Sequence, residues 1–142
     1  MRAYADTSFL VSLYTPDANS VGAAARMKRL RTALFLTPFG ELELLDALEL
    51  RVFRGELTHS EVEAAQALLR GDVEKGLYTR KPLPAGVFER AAEIALKRTA
   101  RLGTRTLDIL HVASASILQA DTFYSFDRNQ KRLARIEGLR TP

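Results

Sequence analysis

Asp6, Glu43, Asp108 and Asp127 stand out by position: Asp6 and Asp127 end apolar runs that read as strands, Glu43 lies in the early turns of the helix after the second strand, and Asp108 in the first turn of a helix leading into a strand. In a sheet of parallel strands the crossover helices start at the carboxyl ends of the strands, so acids at those joints are carried to one edge. Four carboxylates sharing a cleft repel one another strongly unless a divalent cation neutralises them. The chain has no cysteine and only two histidines, which excludes a thiolate site or a zinc site built on histidines alone. Mg²⁺ or Mn²⁺ fits an all-oxygen ligand set. The chemistry such ions favour is hydrolysis of a phosphodiester, with the protein supplying position and field.

Each acid also has a plainer duty. Asp6 and Asp127 are suited to cap the helices that follow them, and Asp108 to complement a helix dipole. Glu43 has rivals in Glu41 and Asp46, and a helical wheel does not choose between Glu41 and Glu43. The combination favours a site: a cap accepts Ser, Thr or Asn as readily as Asp, yet every expected site-edge position carries a carboxylate. Thr7, Ser8 and Ser125 flank these acids as candidates to orient water or ligand. His111, one turn after Asp108, reads as an ordinary helix histidine with its nitrogens satisfied. Arg128, Lys131, Arg132 and Arg135 share one side of the last helix, where they could guide RNA phosphates or form a solvated face.

The elements that must position these groups follow from periodicity. A first strand is expected at 2–5, a helix through Phe9, Leu10 and Leu13, and an Arg-rich amphipathic helix at 18–31. A buried strand follows at 33–36. Thr37 before Pro38 reads as a cap and first turn, with Leu44, Leu45, Leu48 and Val52 carrying that helix to about Arg54, where Gly55 stops it. Further helices are expected at 60–69, 87–101 and 106–119, the last carrying Ala113, Ser114, Ala115 and Ser116 to lie close to a sheet. A strand edge is expected at 76–79, an aromatic strand at 122–126 and a short helix at 127–136. Strands alternating with helices give an α/β chain, a parallel sheet covered on both faces.

With 142 residues, 46% of them hydrophobic, and no linker or repeat, one domain over residues 1–142 is expected. Residues 1–13 are too short and too polar for a signal peptide or membrane span, so a cytoplasmic protein with no membrane attachment is expected. The formal charge of +4 suits a polyanionic partner.

The motifs together resemble those of the PIN-domain ribonucleases, and among them the VapC-type toxins of toxin–antitoxin pairs. "YADTSFLVSLY" is similar to that family's first strand and acid, at Asp6. "ELELLDALELR" resembles its Glu-Leu-x-x-Ala-Leu helix, a register that selects Glu43 over Glu41. "RTLDILHVASA" resembles the Arg-x-x-Asp segment and gives Asp108 with Arg105 before it. "FYSFDRNQKRLA" resembles the last acidic motif at Asp127, with Ser125 where many members have threonine. The resemblance implies a three-layer α/β/α sandwich, Mg²⁺- or Mn²⁺-dependent RNA cleavage, homodimerisation and inhibition by a cognate antitoxin. Rival readings are a PIN-domain maturation or decay nuclease with no antitoxin, a catalytically silent binding module on the same fold, and an aspartyl-phosphate hydrolase using Asp6. The last usually needs Asp-x-Asp, and position 8 is Ser8.

Overall fold

The alternation of side chains along short strands separates the molecule into layers. In the computed structural model, which describes residues 1–142, β1 (Ala3–Ala5) turns Ala3 and Ala5 into one buried cluster and Tyr4 into another. The strands β2 (Leu34–Leu36) and β4 (Thr122–Tyr124) divide in the same way: Leu34, Leu36 and Tyr124 join the first cluster, Phe35 and Phe123 the second. Because successive residues point to opposite faces, a sheet apolar on both sides must be covered on both sides. The first face is covered by α1 (Thr7–Tyr14), α2 (Ser20–Arg29), α3 (Pro38–Phe53) and α4 (His59–Glu74). The second is covered by α5 (Val87–Ile94), a π-helical stretch (Ala95–Thr99), α6 (Ala100–Leu102), α7 (Thr106–Ile117) and α8 (Arg128–Ile136). The result is the expected α/β/α sandwich.

With β3 (Tyr78–Arg80) at one edge, the sheet has the order β3-β2-β1-β4, and all pairings are parallel. The chain moves outward from β1 through β2 to β3, then crosses back to place β4 on the other side of β1. Strand order therefore reverses between β1 and β4, and a crevice opens at their carboxyl ends. Asp6 and Ser125 are the first residues beyond those ends, and Asp6 extends the pairing by donating its N–H to the Tyr124 carbonyl at 3.0 Å.

Local chemistry sets the helix starts. Thr37 Oγ1 accepts the Gly40 N–H at 3.0 Å ahead of Pro38, and Thr58 and Glu61 form a reciprocal capping box for α4, which satisfies donors that a helix leaves free at its start. Helix α4 runs to Glu74, five residues past the expected end, because Val73 still packs on the core. The helix expected over 87–101 is interrupted by the π stretch and ends at Gly103, whose φ of +64° is the left-handed conformation glycine adopts without strain. Along α7 Ala113, Ser114 and Ala115 are fully buried, and the element packed most closely on this helix is α5. No helix is long and apolar enough to cross a membrane.

Candidate active site

Asp6 closes β1 and caps α1 in one position. Its Oδ1 accepts the Ser8 hydroxyl at 2.7 Å and the Phe9 N–H at 3.1 Å, and its Oδ2 accepts the Ser125 hydroxyl at 2.6 Å. Ser125 also accepts the Asp127 N–H at 3.0 Å, so one serine ties the ends of β1 and β4 together. Asp127 caps α8 through the Gln130 N–H at 2.9 Å. Asp108 lies in the first turn of α7 and Glu43 in the second turn of α3. Glu43, Asp108 and Asp127 line a cleft of about 620 Å³ together with Arg105, Asn129 and the 103–107 segment. Asp6, 3% exposed, does not line it but is near enough for its charge to act on Asp108. The caps foreseen as plain duties are real, and the capping acids still reach the common edge.

Glu41 is taken elsewhere, paired with Arg80 on β3 at 2.7 Å. Glu43 instead meets His111: its Oε1 is 2.5 Å from the imidazole Nε2, and the Thr7 hydroxyl donates to the same oxygen. The other ring nitrogen of His111 is 2.8 Å from the Tyr4 hydroxyl. His111 is thus a satisfied helix histidine, as expected, but its partner is one of the candidate acids. Nothing local in the sequence signalled this, since Tyr4 and Glu43 come from a distant strand and helix. Asn129 on the cleft wall was also not foreseen, although it lies two residues from Asp127.

The electrostatics separate the acids. Burial pushes the Asp6 carboxyl above its ordinary range, opposed by its hydroxyl donors and by His111. Asp108 is also raised, by burial first and then by the like charge of Asp127, opposed by His111, with Asp6 and Glu43 adding smaller repulsions. Burial would raise Glu43 too, but the hydrogen bond from His111, its charge and the Thr7 donor outweigh it and hold Glu43 low. Asp108 therefore stands as the acid under repulsion, with no hydrogen-bond donor easing it. No three acidic or imidazole side chains stand in metal-holding geometry; Asp6, Glu43 and Asp127 each turn an oxygen to a protein donor.

Residues 3–136 match the model of the PIN domain. The chain belongs to the PIN-domain family. Among solved structures, this PIN domain resembles VapC20 of Mycobacterium tuberculosis, described as a sarcin-ricin loop cleaving toxin, with a TM-score of 0.71 and 18% identity over 92% of this chain and 93% of that one. It also resembles VapBC2 of Rickettsia felis, solved bound to a DNA fragment from its promoter, with a TM-score of 0.67, 16% identity and coverage of 100% and 98%. FitAcB of Neisseria gonorrhoeae gives a TM-score of 0.67 and 16% identity, over 98% and 95% of the two chains. A search of curated protein sequences gives no match.

The PIN domain's remaining candidates divide by position. Thr7 and Ser8 line a second groove of about 400 Å³ beside Asp127, with Val11, Leu50, Arg51 and Phe126. Arg128 lies outside the carboxylate cleft: at the first position of α8 it lines a groove with Asn129, Lys131, Arg132 and Arg135, with no hydrophobic residue among them. Asn129 borders both, so the acidic cleft opens directly onto a cationic surface. Arg26 of α2 adds to that surface, lying 4.9 Å over the Phe126 ring, and with Arg135 its charge lowers Lys131, behind the effect of burial.

Proposed function

We propose that this PIN domain is a Mg²⁺- or Mn²⁺-dependent endoribonuclease whose site is Asp6, Glu43, Asp108 and Asp127, acting as the toxin of a toxin–antitoxin pair. The observation that carries the reading is the junction at Asn129, where a cleft lined by three acids meets a groove lined by four cations. A polyanion drawn along the cations is delivered to carboxylates that would repel it unless a cation stood between them. The donor set fits such an ion: it is all oxygen, and Asp108 is a carboxylate under like-charge strain that a cation relieves. Asp108, Glu43 and Asp127 would hold it, with Asp6 near enough to add its charge. A bound divalent cation supplies activation of water and neutralisation of charge on the phosphate and leaving oxygen.

The chain's own side chains do the positioning. Arg105 on the cleft wall offers a planar fork for a phosphate. Arg128, Lys131, Arg132 and Arg135 hold the strand beyond it. His111 is 2% exposed with both nitrogens engaged, so it serves no proton transfer at the scissile bond. Thr7, Ser8 and Ser125 keep the acids oriented.

The likeness to a sarcin-ricin loop cleaving toxin supports RNA as the substrate. The toxin reading carries two protein partners. A cognate antitoxin would enter the groove beside Asp127, and an arginine reaching the acids would pair with them in place of the cation. A second copy would cover the apolar recess of Phe88, Ala91, Ala92, Ala95, Ile109 and Leu110, near the 87% exposed Leu96. The test is cleavage of cellular RNA by the purified chain with end mapping, then by Asp6→Asn, Glu43→Gln, Asp108→Asn and Asp127→Asn. Discrete cation-dependent cuts lost in each variant are expected, and cuts that persist in excess chelator would overturn the reading. Co-expression with the neighbouring gene separates a toxin from a free-standing nuclease: rescue of growth is expected.

A further inference from the structure

We infer that His111, itself set by Tyr4, is a positioning residue that fixes which carboxylate oxygen of Glu43 faces the cleft. The inference rests on the reading of Glu43 as a site acid. Three hydrogen-bonding groups meet in a buried line from the sheet to the cleft. Tyr4, 1% exposed on β1, stacks on Phe123 with ring centroids 5.6 Å apart and planes 8° apart, so its ring cannot swing away. Its hydroxyl reaches His111 Nδ1 at 2.8 Å, and His111 Nε2 reaches Glu43 Oε1 at 2.5 Å. Phe39 of α3 packs on the imidazole with centroids 4.6 Å apart, holding the ring from the other side.

The chemistry of the line fixes its protons. A nitrogen lone pair and a carboxylate oxygen cannot face each other at such a distance without a proton between them, so Nε2–H donates to Glu43. With Nε2–H committed to Glu43, the other nitrogen, Nδ1, faces the Tyr4 hydroxyl, which burial keeps protonated and able to donate to it. The tautomer is thus imposed from the sheet. At the far end, Nε2–H and the Thr7 hydroxyl both converge on Oε1. Oε2 is left for the cleft that Glu43 lines. Without this hold, Glu43 is a flexible side chain on a helical turn, free to sample rotamers at the cost of its place in the site. Orientation of a ligating carboxylate by an outer hydrogen-bond partner is the general means by which proteins hold such groups ready.

Two measurements on the full chain decide the role of His111. The first is ¹⁵N NMR of the His111 ring at neutral pH, where Nε2–H with an unprotonated Nδ1 is expected, and Tyr4→Phe is expected to relax that preference. A ring protonated at Nδ1, alone or together with Nε2, or a Tyr4→Phe variant with an unchanged tautomer, overturns the inference. The second is Mn²⁺ binding followed by calorimetry, with melting curves to confirm folding. His111→Leu is expected to weaken binding by about 10- to 100-fold, and His111→Gln, which keeps an N–H donor, to recover most of the loss. Equal Mn²⁺ binding by wild type and His111→Leu overturns the inference. A wild-type chain that binds no Mn²⁺ refutes the proposed function instead, and the tautomer still decides the role of His111.

Discussion

Two isosteric substitutions in one cleft are expected to move stability in opposite directions. Asp108→Asn removes a charge that burial and Asp127 disfavour most, with Asp6 and Glu43 behind them and His111 opposing, and no protein donor is lost with it. Glu43→Gln keeps the shape but turns two charge-assisted hydrogen bonds, from His111 and Thr7, into neutral ones. Charged hydrogen bonds contribute about 1.5–3 kcal/mol and neutral ones about 0.5–1.5. A loss of about 2–3 kcal/mol is therefore expected for Glu43→Gln, and a gain of about 0.5 kcal/mol or more for Asp108→Asn, within the range single stabilising substitutions commonly yield. At about 3–4 °C per kcal/mol for a chain of this size, the two melting temperatures should separate by roughly 5 °C or more.

The assay is thermal and urea unfolding in excess chelator, followed across pH. A raised folded-state pKa means the native chain takes up the Asp108 proton before the unfolded chain does, so stability rises as pH falls through that window. The advantage of Asp108→Asn should be full above the folded pKa of Asp108 and vanish below the ordinary carboxylate range. The Glu43 pKa is lowered, so the stability it contributes is present above its unfolded pKa and lost as pH falls through the folded one. Shifts of the same sign for both variants, or a destabilised Asp108→Asn, would refute the division of the acids into one held and one strained.

Other expectations are independent of that contrast. Ser125→Ala removes the donor to the buried Asp6 Oδ2 and should cost about 1.5–3 kcal/mol, read by urea midpoint at constant m. Lys131→Glu with Arg132→Glu should weaken RNA binding and flatten its salt dependence, by about 0.7–0.9 in log–log slope for each phosphate no longer neutralised, measured by anisotropy with chelator present. Leu96→Glu with Phe88→Glu should halve the mass seen by light scattering, and an unchanged mass would remove that face from any dimer interface.

The placement of the acids was legible because a few strong signals agreed. Tyr4, Phe35 and Phe123 sit in apolar runs short enough to be buried strands, and Asp6 and Asp127 follow such runs directly. Parallel topology then carries acids beyond strand ends to one edge. Periodicity alone left Glu41 and Glu43 open, because the choice is made by a residue on another element: Arg80 of β3 draws Glu41 away. His111 shows the same limit. Its spacing placed it one turn from Asp108, but its bonds to Tyr4 and Glu43 span 107 and 68 positions of sequence. Arg128, adjacent to Asp127 in sequence, belongs to the neighbouring groove because the first turn of α8 rotates it past the cleft wall while Asn129 remains on it. The π stretch at Ala95–Thr99 left no trace in a pattern read at helical spacing. Likewise, strand ends shifted by one or two residues because pairing with the neighbouring strand sets them.

The most direct measurement is anomalous diffraction from crystals of the chain grown with Mn²⁺. A manganese signal in the cleft between Asp108, Glu43 and Asp127, abolished in Asp108→Asn, is expected. A signal confined to other surface carboxylates, or none in the cleft at saturating Mn²⁺, would contradict the assignment of these acids as a cation-dependent nuclease site.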